Sequence, residues 1–243
     1  MIILEQVTMN VAVHTRGATV YSKTRPVLSN VSLAIPSNRR IALFSAFESD
    51  KSIFNSLLCG LTAPRVGRVV KTVNVSFPVG YGGSFRPDLP VRKNVEHLAR
   101  LYDLDSKDFA HFIGEVGRFG PAFNRPYSEM SAITQARFAR IIGLSLPFDV
   151  YQLNDRCVVA CKDKRDVLHQ LFDERFQNAG MIISTANIKL ALEYCNMALA
   201  MSEGELRLYD DVQEAFDSLR DATRTVRRRE RRYLRRRTQQ APT

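Results

Sequence analysis

Residues Ser45-Ala46-Phe47-Glu48-Ser49-Asp50-Lys51-Ser52 end on a Lys-Ser pair after an apolar run, Ile41-Ala42-Leu43-Phe44. A buried strand running into a loop and then a helix is the setting of the phosphate-binding pattern G-x-x-x-x-G-K-[ST]. There, glycines let backbone N–H groups close around phosphates, the lysine reaches the terminal oxygens, and the hydroxyl holds Mg²⁺. Here Ser45 and Asp50 stand at the glycine positions and Glu48 adds a second carboxylate. Lys51 and Ser52 are kept, and the Ser52 hydroxyl could ligate Mg²⁺. Two unit charges about 4 Å apart repel by roughly 1–4 kcal/mol between bulk-water and near-surface dielectric. Asp50 and Glu48 would therefore oppose a triphosphate. An Asp50 forced to keep a glycine's positive φ would add about 1–2 kcal/mol of strain. The expectation is a loop of another shape, with Lys51 neutralised by Asp50 or Glu48.

The elements that must position this loop are legible from periodicity. Alternating or apolar runs predict strands over residues 2–7, 27–35, 40–44, 69–77, 150–153 and 180–185, and a hairpin over 197–209 turning at Glu203-Gly204. Helical spacing appears over 52–61, 91–103, 133–146, 164–177 and 188–195. Strands separated by helices imply a mainly parallel α/β sheet. At 243 residues and 45% apolar, the chain can bury a substantial core. The start Met1-Ile2-Ile3-Leu4 meets Glu5 at once, so no signal peptide is expected, and no apolar run reaches the ~20 residues of a membrane span.

Charge is unevenly placed. Nine arginines (224, 227, 228, 229, 231, 232, 235, 236 and 237) and Glu230 lie in the last 22 residues, and account for eight of the ten net positive charges. The sequence leaves three readings open: a solvated helix end, an arm from Arg224 to Arg237 on anionic headgroups, or a contact with nucleic acid or an acidic protein, with nucleic acid disfavoured. Cys59, Cys157, Cys161 and Cys195 lie in apolar or mixed segments, with no histidine at ligand spacing beside Cys157 and Cys161, and read as reduced thiols. His14, His97, His111 and His169 form no cluster along the sequence.

Over residues 1–215 the ordered landmarks resemble the nucleotide-binding subunit of ATP-binding-cassette (ABC) transporters, in the branch that exports capsular and related surface polysaccharides. The most specific stretch is Ser76-Phe77-Pro78-Val79-Gly80-Tyr81-Gly82-Gly83-Ser84-Phe85, followed by Asn94-Val95 and Ala99-Arg100-Leu101-Tyr102. Phe148-Asp149 and Leu192-Glu193-Tyr194-Cys195-Asn196 add to the likeness. The resemblance implies an ABC-type P-loop fold: a mainly parallel sheet, an antiparallel β subdomain, and a helical subdomain over about 90–147. Residues 216–243 would form an Arg-rich helix or tail. ATP and Mg²⁺ would be the ligands, weakly held or lost.

The partners implied are a polysaccharide-export permease and a second cassette, either a copy of this chain or a competent homologous ATPase. The place implied is the cytoplasmic face of a bacterial inner membrane. Position by position, the family's working residues are substituted. Arg86 stands for the Q-loop glutamine. Ser131 is what remains of the signature, where Ala132 and Ile133 replace glycines. Asn154 stands for the Walker B aspartate and the shorter Asp155 for the catalytic glutamate. Ala186 stands for the switch histidine, and Val158-Val159-Ala160-Cys161 for the D-loop. Pro26, or else Tyr21, falls at the adenine-stacking aromatic.

A base withdrawn by one methylene matters, because a misplacement of about 1 Å can cost about 100-fold in rate. The expectation is a subunit unable to hydrolyse ATP efficiently alone. Two alternatives remain: an atypical but working export ATPase, and a non-transport adaptor acting through its basic tail. Each position also has a purely structural reading. Lys51 would be a surface cation, Arg86 a partner for Asp88, Ser131 the cap of the 133–146 helix, and Asn154-Asp155 a cap after the short strand.

Overall fold

The computed structural model describes residues 1–13, 23–83 and 85–222. Tyr21, His14 and the arginines from Arg224 to Arg237 lie outside the described residues. The architecture is α/β and divides into two units: Met1–Thr72 together with the chain from Ile183 onward, and Val73–Ile182.

In unit 1, β1 (Ile2–Val13), β2 (Lys23–Ile35) and β4 (Val66–Lys71) form an antiparallel sheet in the order β2-β1-β4. Ile2, Leu4, Val7 and Met9 are buried. Strict alternation would break between Leu4 and Val7. The break is absorbed by a register shift at Gln6, whose φ is 51°. A bulge of this kind resets the phase, so that all four apolar side chains face the core. Gly67 lies against it with φ 82°, and a Cβ there would come within 2.3 Å of the Glu5 carbonyl oxygen.

The second sheet of unit 1 runs β7 (Gly180–Ser184), β3 (Arg40–Ser45), β8 (Met197–Ser202), β9 (Glu205–Tyr209). β3 pairs with β8 in parallel, and β8 turns back on β9 through Glu203 and Gly204, both at positive φ. α1 (Glu48–Cys59), α7 (Ile188–Tyr194) and a helix over 212–222, α8, belong to this unit. Ala42, Ala191, Ala198, Ala200 and Ala215 share one cluster with Phe44 and Leu219. Small side chains there let backbones approach closely.

Unit 2 holds the parallel pair β5 (Val75–Pro78) and β6 (Val150–Asn154), with the first residues of β7 beside β6. Its helices are α2 (Val91–Leu101), α3 (Ser106–Gly117), α4 (Ala132–Ser145), α5 (Asp155–Ala160) and α6 (Val167–Arg175). Phe85, Phe119, Tyr127 and Phe138 pack ring against ring at centroid distances of 4.9–5.8 Å.

Three sequence expectations need correction. The single strand expected over 69–77 is two strands, β4 and β5, in different units. α3 was not expected; it is capped by Asp105, whose carboxylate accepts from the N–H groups of Lys107 and Asp108, both at 2.8 Å. α1 begins at Glu48, four residues earlier than the periodicity indicates. No helix among the described residues is long and apolar enough to cross a membrane.

Candidate functional site in unit 1

β3 is buried along all but its first residue and delivers Ser45 to the end of the sheet, in register with Met201 of β8. Only Ala46 and Phe47 separate Ser45 from α1. The stretch where a phosphate cradle would lie is therefore wound into helix. Ser49 and Asp50 lie in the first turn of α1, and the Asp50 N–H donates to the Phe47 carbonyl at 3.2 Å. Asp50 is in ordinary helical conformation, so the glycine-type strain considered from sequence does not arise. Of the two glycine positions only Asp50 lies in α1, where glycine would cost about 1 kcal/mol relative to alanine and an ordinary residue at most about 0.7 kcal/mol. Glu48 and Asp50 in the first turn complement the helix dipole. The helix ends at Gly60, which takes φ 83° as its C-cap.

The charged groups are paired within the chain. Asp50 is 4% exposed and Lys51 3% exposed. Arg25 of β2 forks the Asp50 carboxylate, with Nη1 to Oδ2 at 2.9 Å and Nη2 to Oδ1. The Ser45 and Ser49 hydroxyls approach the same carboxylate at 3.4 and 3.3 Å. The Arg25 guanidinium lies 4.1 Å above the centre of the Phe47 ring. Lys51 Nζ meets Glu48 Oε2 at 2.7 Å. Lys51 is thus neutralised from its own helix turn, and it is buried, not the surface cation of the structural reading. Ser52 is exposed.

Ala186 follows β7 and is exposed. Just before it, the Ser184 hydroxyl accepts from Asn55 Nδ2 of α1 at 2.9 Å, and Thr185 Oγ1 accepts from the N–H of Asn187, which caps α7. Pro26 lies in β2 beside Arg25.

The remaining candidates belong to unit 2. The Arg86 side chain pairs with Asp88 at 2.9 Å, and its loop is pinned by buried Asn94, which accepts from the Arg86 N–H and donates to its carbonyl. The hydrogen bond and charge of Asp88 raise the Arg86 guanidinium further, and Arg86 holds the Asp88 carboxyl below its ordinary range. Ser131 caps α4 by accepting from the Thr134 N–H at 3.2 Å, while Ile133 beside it is 84% exposed. Asn154 caps α5 by accepting from the Cys157 N–H at 2.9 Å. Asp155 opens that helix, and its Oδ1 is buried with no hydrogen-bond partner among the described residues. The expected D-loop residues Val158, Val159 and Ala160 are helical, with Cys161 as the cap. Cys157 and Cys161 are buried free thiols; the hydrogen bond between the Cys157 and Cys161 thiols and then burial push the Cys157 thiol up.

Sequence reasoning missed Arg25 and the stacking role of Phe47. No local pattern marks Arg25, since its partner is 25 residues away. The available signal was indirect: a carboxylate at the second glycine position of a buried loop needs a cation, and Lys51 was already within reach of Glu48.

Comparison with known proteins bears on the fold. No family model matches the chain. It is 24% identical over 196 residues to the capsule polysaccharide export ATP-binding protein CtrD of Neisseria meningitidis serogroup B, covering 79% of this chain and 89% of that one. It is 25% identical over 195 residues to the ATP-binding protein BexA of Haemophilus influenzae, covering 79% and 88%. It is 25% identical over 194 residues to the polysialic acid transport ATP-binding protein KpsT of Escherichia coli, covering 79% and 87%. Among solved structures, the ATP-binding cassette MJ0796, as a post-hydrolysis dimer with ADP and phosphate, superposes with a TM-score of 0.65 at 17% identity, over 86% of this chain and 98% of that one. The chain has the ATP-binding-cassette fold.

Proposed function

We propose that this chain is the cassette subunit of an ABC exporter of capsular or related cell-surface polysaccharide, and that its own phosphate loop does not drive hydrolysis. The likeness to a capsule polysaccharide export ATP-binding protein and a polysialic acid transport ATP-binding protein, over most of each, supports the first half. One observation carries the second: two residues join β3 to α1, and Lys51 beyond them is buried in an ion pair with Glu48. A phosphate cradle is built from free N–H groups at a helix start, and here α1 begins two residues before the second glycine position, which Asp50 occupies inside the helix. Asp155 in place of a glutamate, Asn154 spent as a cap and Ala186 without a proton-bearing group point the same way.

In such an exporter the chain docks on a permease at the cytoplasmic face of the inner membrane and pairs with a second cassette. A competent partner would then carry the turnover, with Ser131 and the start of α4 facing the partner's nucleotide. The arginines from Arg224 to Arg237, outside the described residues, would bind anionic headgroups.

The test is magnesium-dependent ATP turnover of the purified chain, alone and with permease and partner cassette, against Lys51→Ala. Turnover alone at the level of the Lys51→Ala control is expected. In the assembly, mutating the phosphate-loop lysine of the partner cassette should abolish transport, while Lys51→Ala should change it little. Equal damage from Lys51→Ala would overturn the reading.

A further inference from the structure

We propose that the phosphate position of unit 1 is a latent anion site held shut by an internal anion, the Asp50 carboxylate, and that releasing this one group reopens the site to a nucleotide's phosphates. The inference rests on the reading of the chain as a cassette with a silent site, and it identifies what silences it.

The cations of a polyphosphate site are all present. Arg25 presents a guanidinium, Lys51 an ammonium, and the 12-residue α1 its N-terminal turn. A guanidinium fork fits a phosphate as well as a carboxylate, and a helix start attracts either. Each cation already holds a carboxylate of the same chain. Asp50 occupies both arms of Arg25 and takes two serine hydroxyls besides. Phe47 supports Arg25 from below at 4.1 Å, so the fork is held in place.

The two internal anions are not equivalent. The Glu48 side chain is 81% exposed, and an incoming anion can displace it into water. The Asp50 side chain is 5% exposed, against 25% for Arg25. A carboxylate so far removed from water cannot leave the guanidinium without losing its only charged partner among the described residues, so it excludes a competing phosphate. It also fastens the first turn of α1 to β2, and this keeps the loop wound. Asp50 therefore both fills the anion position and holds the helix that removes the cradle. Glu48 does neither to the same degree.

The experiment is titration calorimetry of Mg-ATP and of pyrophosphate into the full chain. The native chain should show no saturable binding at millimolar ligand. Asp50→Gly should bind both ligands at least tenfold more tightly than the native chain, and Asp50→Asn, which keeps the shape and removes the charge, should move the same way to a smaller extent. Glu48→Gln should gain less than Asp50→Gly. Adding Arg25→Ala or Lys51→Ala to Asp50→Gly should cancel the gain. The latch is refuted if both Asp50 variants stay folded by circular dichroism and bind no better than the native chain, or if the gain survives loss of both cations. Should Asp50→Gly not fold, Asp50→Asn decides alone. Failure of the wider reading would look different: the native chain itself would bind Mg-ATP and turn it over.

Discussion

Replacing Arg25 by methionine should destabilise unit 1 far more than a surface arginine would. The change leaves the Asp50 carboxylate, 4% exposed, without its fork. Removing one partner of a buried pair costs about 3–5 kcal/mol, because a desolvated charge is left behind. Arg25 retains a quarter of its side-chain exposure, so water re-enters from that side and the cost falls to about 2–3 kcal/mol. Lost stacking on Phe47 is about 0.5–1 kcal/mol of the same order. In a chain of this length each kcal/mol moves the melting temperature by about 2–4 °C, so a drop of roughly 5–10 °C is expected. The control is a double-mutant cycle. Arg25→Met with Asp50→Leu substitutes an apolar pair for the ionic one and should recover most of the loss, since such replacements are often neutral or better. Urea unfolding with linear extrapolation reads all four corners, and a coupling above about 1 kcal/mol is expected for groups in direct contact. Arg25→Met costing under about 0.5 kcal/mol, or single changes that simply add, would show that the fork does not hold α1 in place.

Other consequences can be measured separately. Burial pushes the Asp166 carboxyl up, but the hydrogen bonds from Arg137 and from the Leu168 N–H prevail and hold it below its ordinary range. Its contribution to stability should thus be present above about pH 4, the unfolded carboxylate's value, and lost as pH falls through the lower native one; unfolding titrations should show Arg137→Met flattening that acid limb, and an unchanged limb would remove the pair from the account. Burial pushes the Cys195 thiol up to about 12, so iodoacetamide at pH 8 should label it at least about 100-fold more slowly in the native chain than in urea, because the thiolate is the nucleophile. Deleting 223–243 should leave the melting temperature within about 2 °C and weaken co-sedimentation with phosphatidylglycerol vesicles, an effect that should fade as salt shortens the Debye length from about 10 Å at 0.1 M to about 3 Å at 1 M; unchanged sedimentation would end the membrane assignment of the tail.

Much of the fold was readable because its signals are local. The apolar run into β3, the Glu203-Gly204 turn and Gly60 at the end of α1 each follow from a few neighbouring residues. One failure has a physical reason. β4 and β5 are separated by only three residues, and both are apolar, so periodicity alone cannot show that they enter different units. α3 did carry a local signal, Phe109, Phe112, Ile113 and Val116 at the i, i+3, i+4, i+7 spacing behind Asp105 as a cap, and the sequence reading passed over it.

The site was legible residue by residue but not as an arrangement. Sequence shows one carboxylate, Asp50, where a glycine is expected and a second, Glu48, two residues before it, and electrostatics alone says that Lys51 will be neutralised nearby. It does not say which acid does so, and the two acids differ in consequence. Glu48 reaches Lys51 along the helix by the i, i+3 spacing, which any helix offers. Asp50 instead turns toward Arg25 on a strand laid down before α1 in the sequence, a long-range pairing with no spacing rule. That difference separates two ways in which a phosphate site can be lost. A site missing its cations has nothing left to bind with, and single substitutions cannot restore it. A site that keeps Arg25 and Lys51 but satisfies them internally is held by the free energy of its own pairs, so under the proposed latch its affinity for phosphates is set by the carboxylate at position 50.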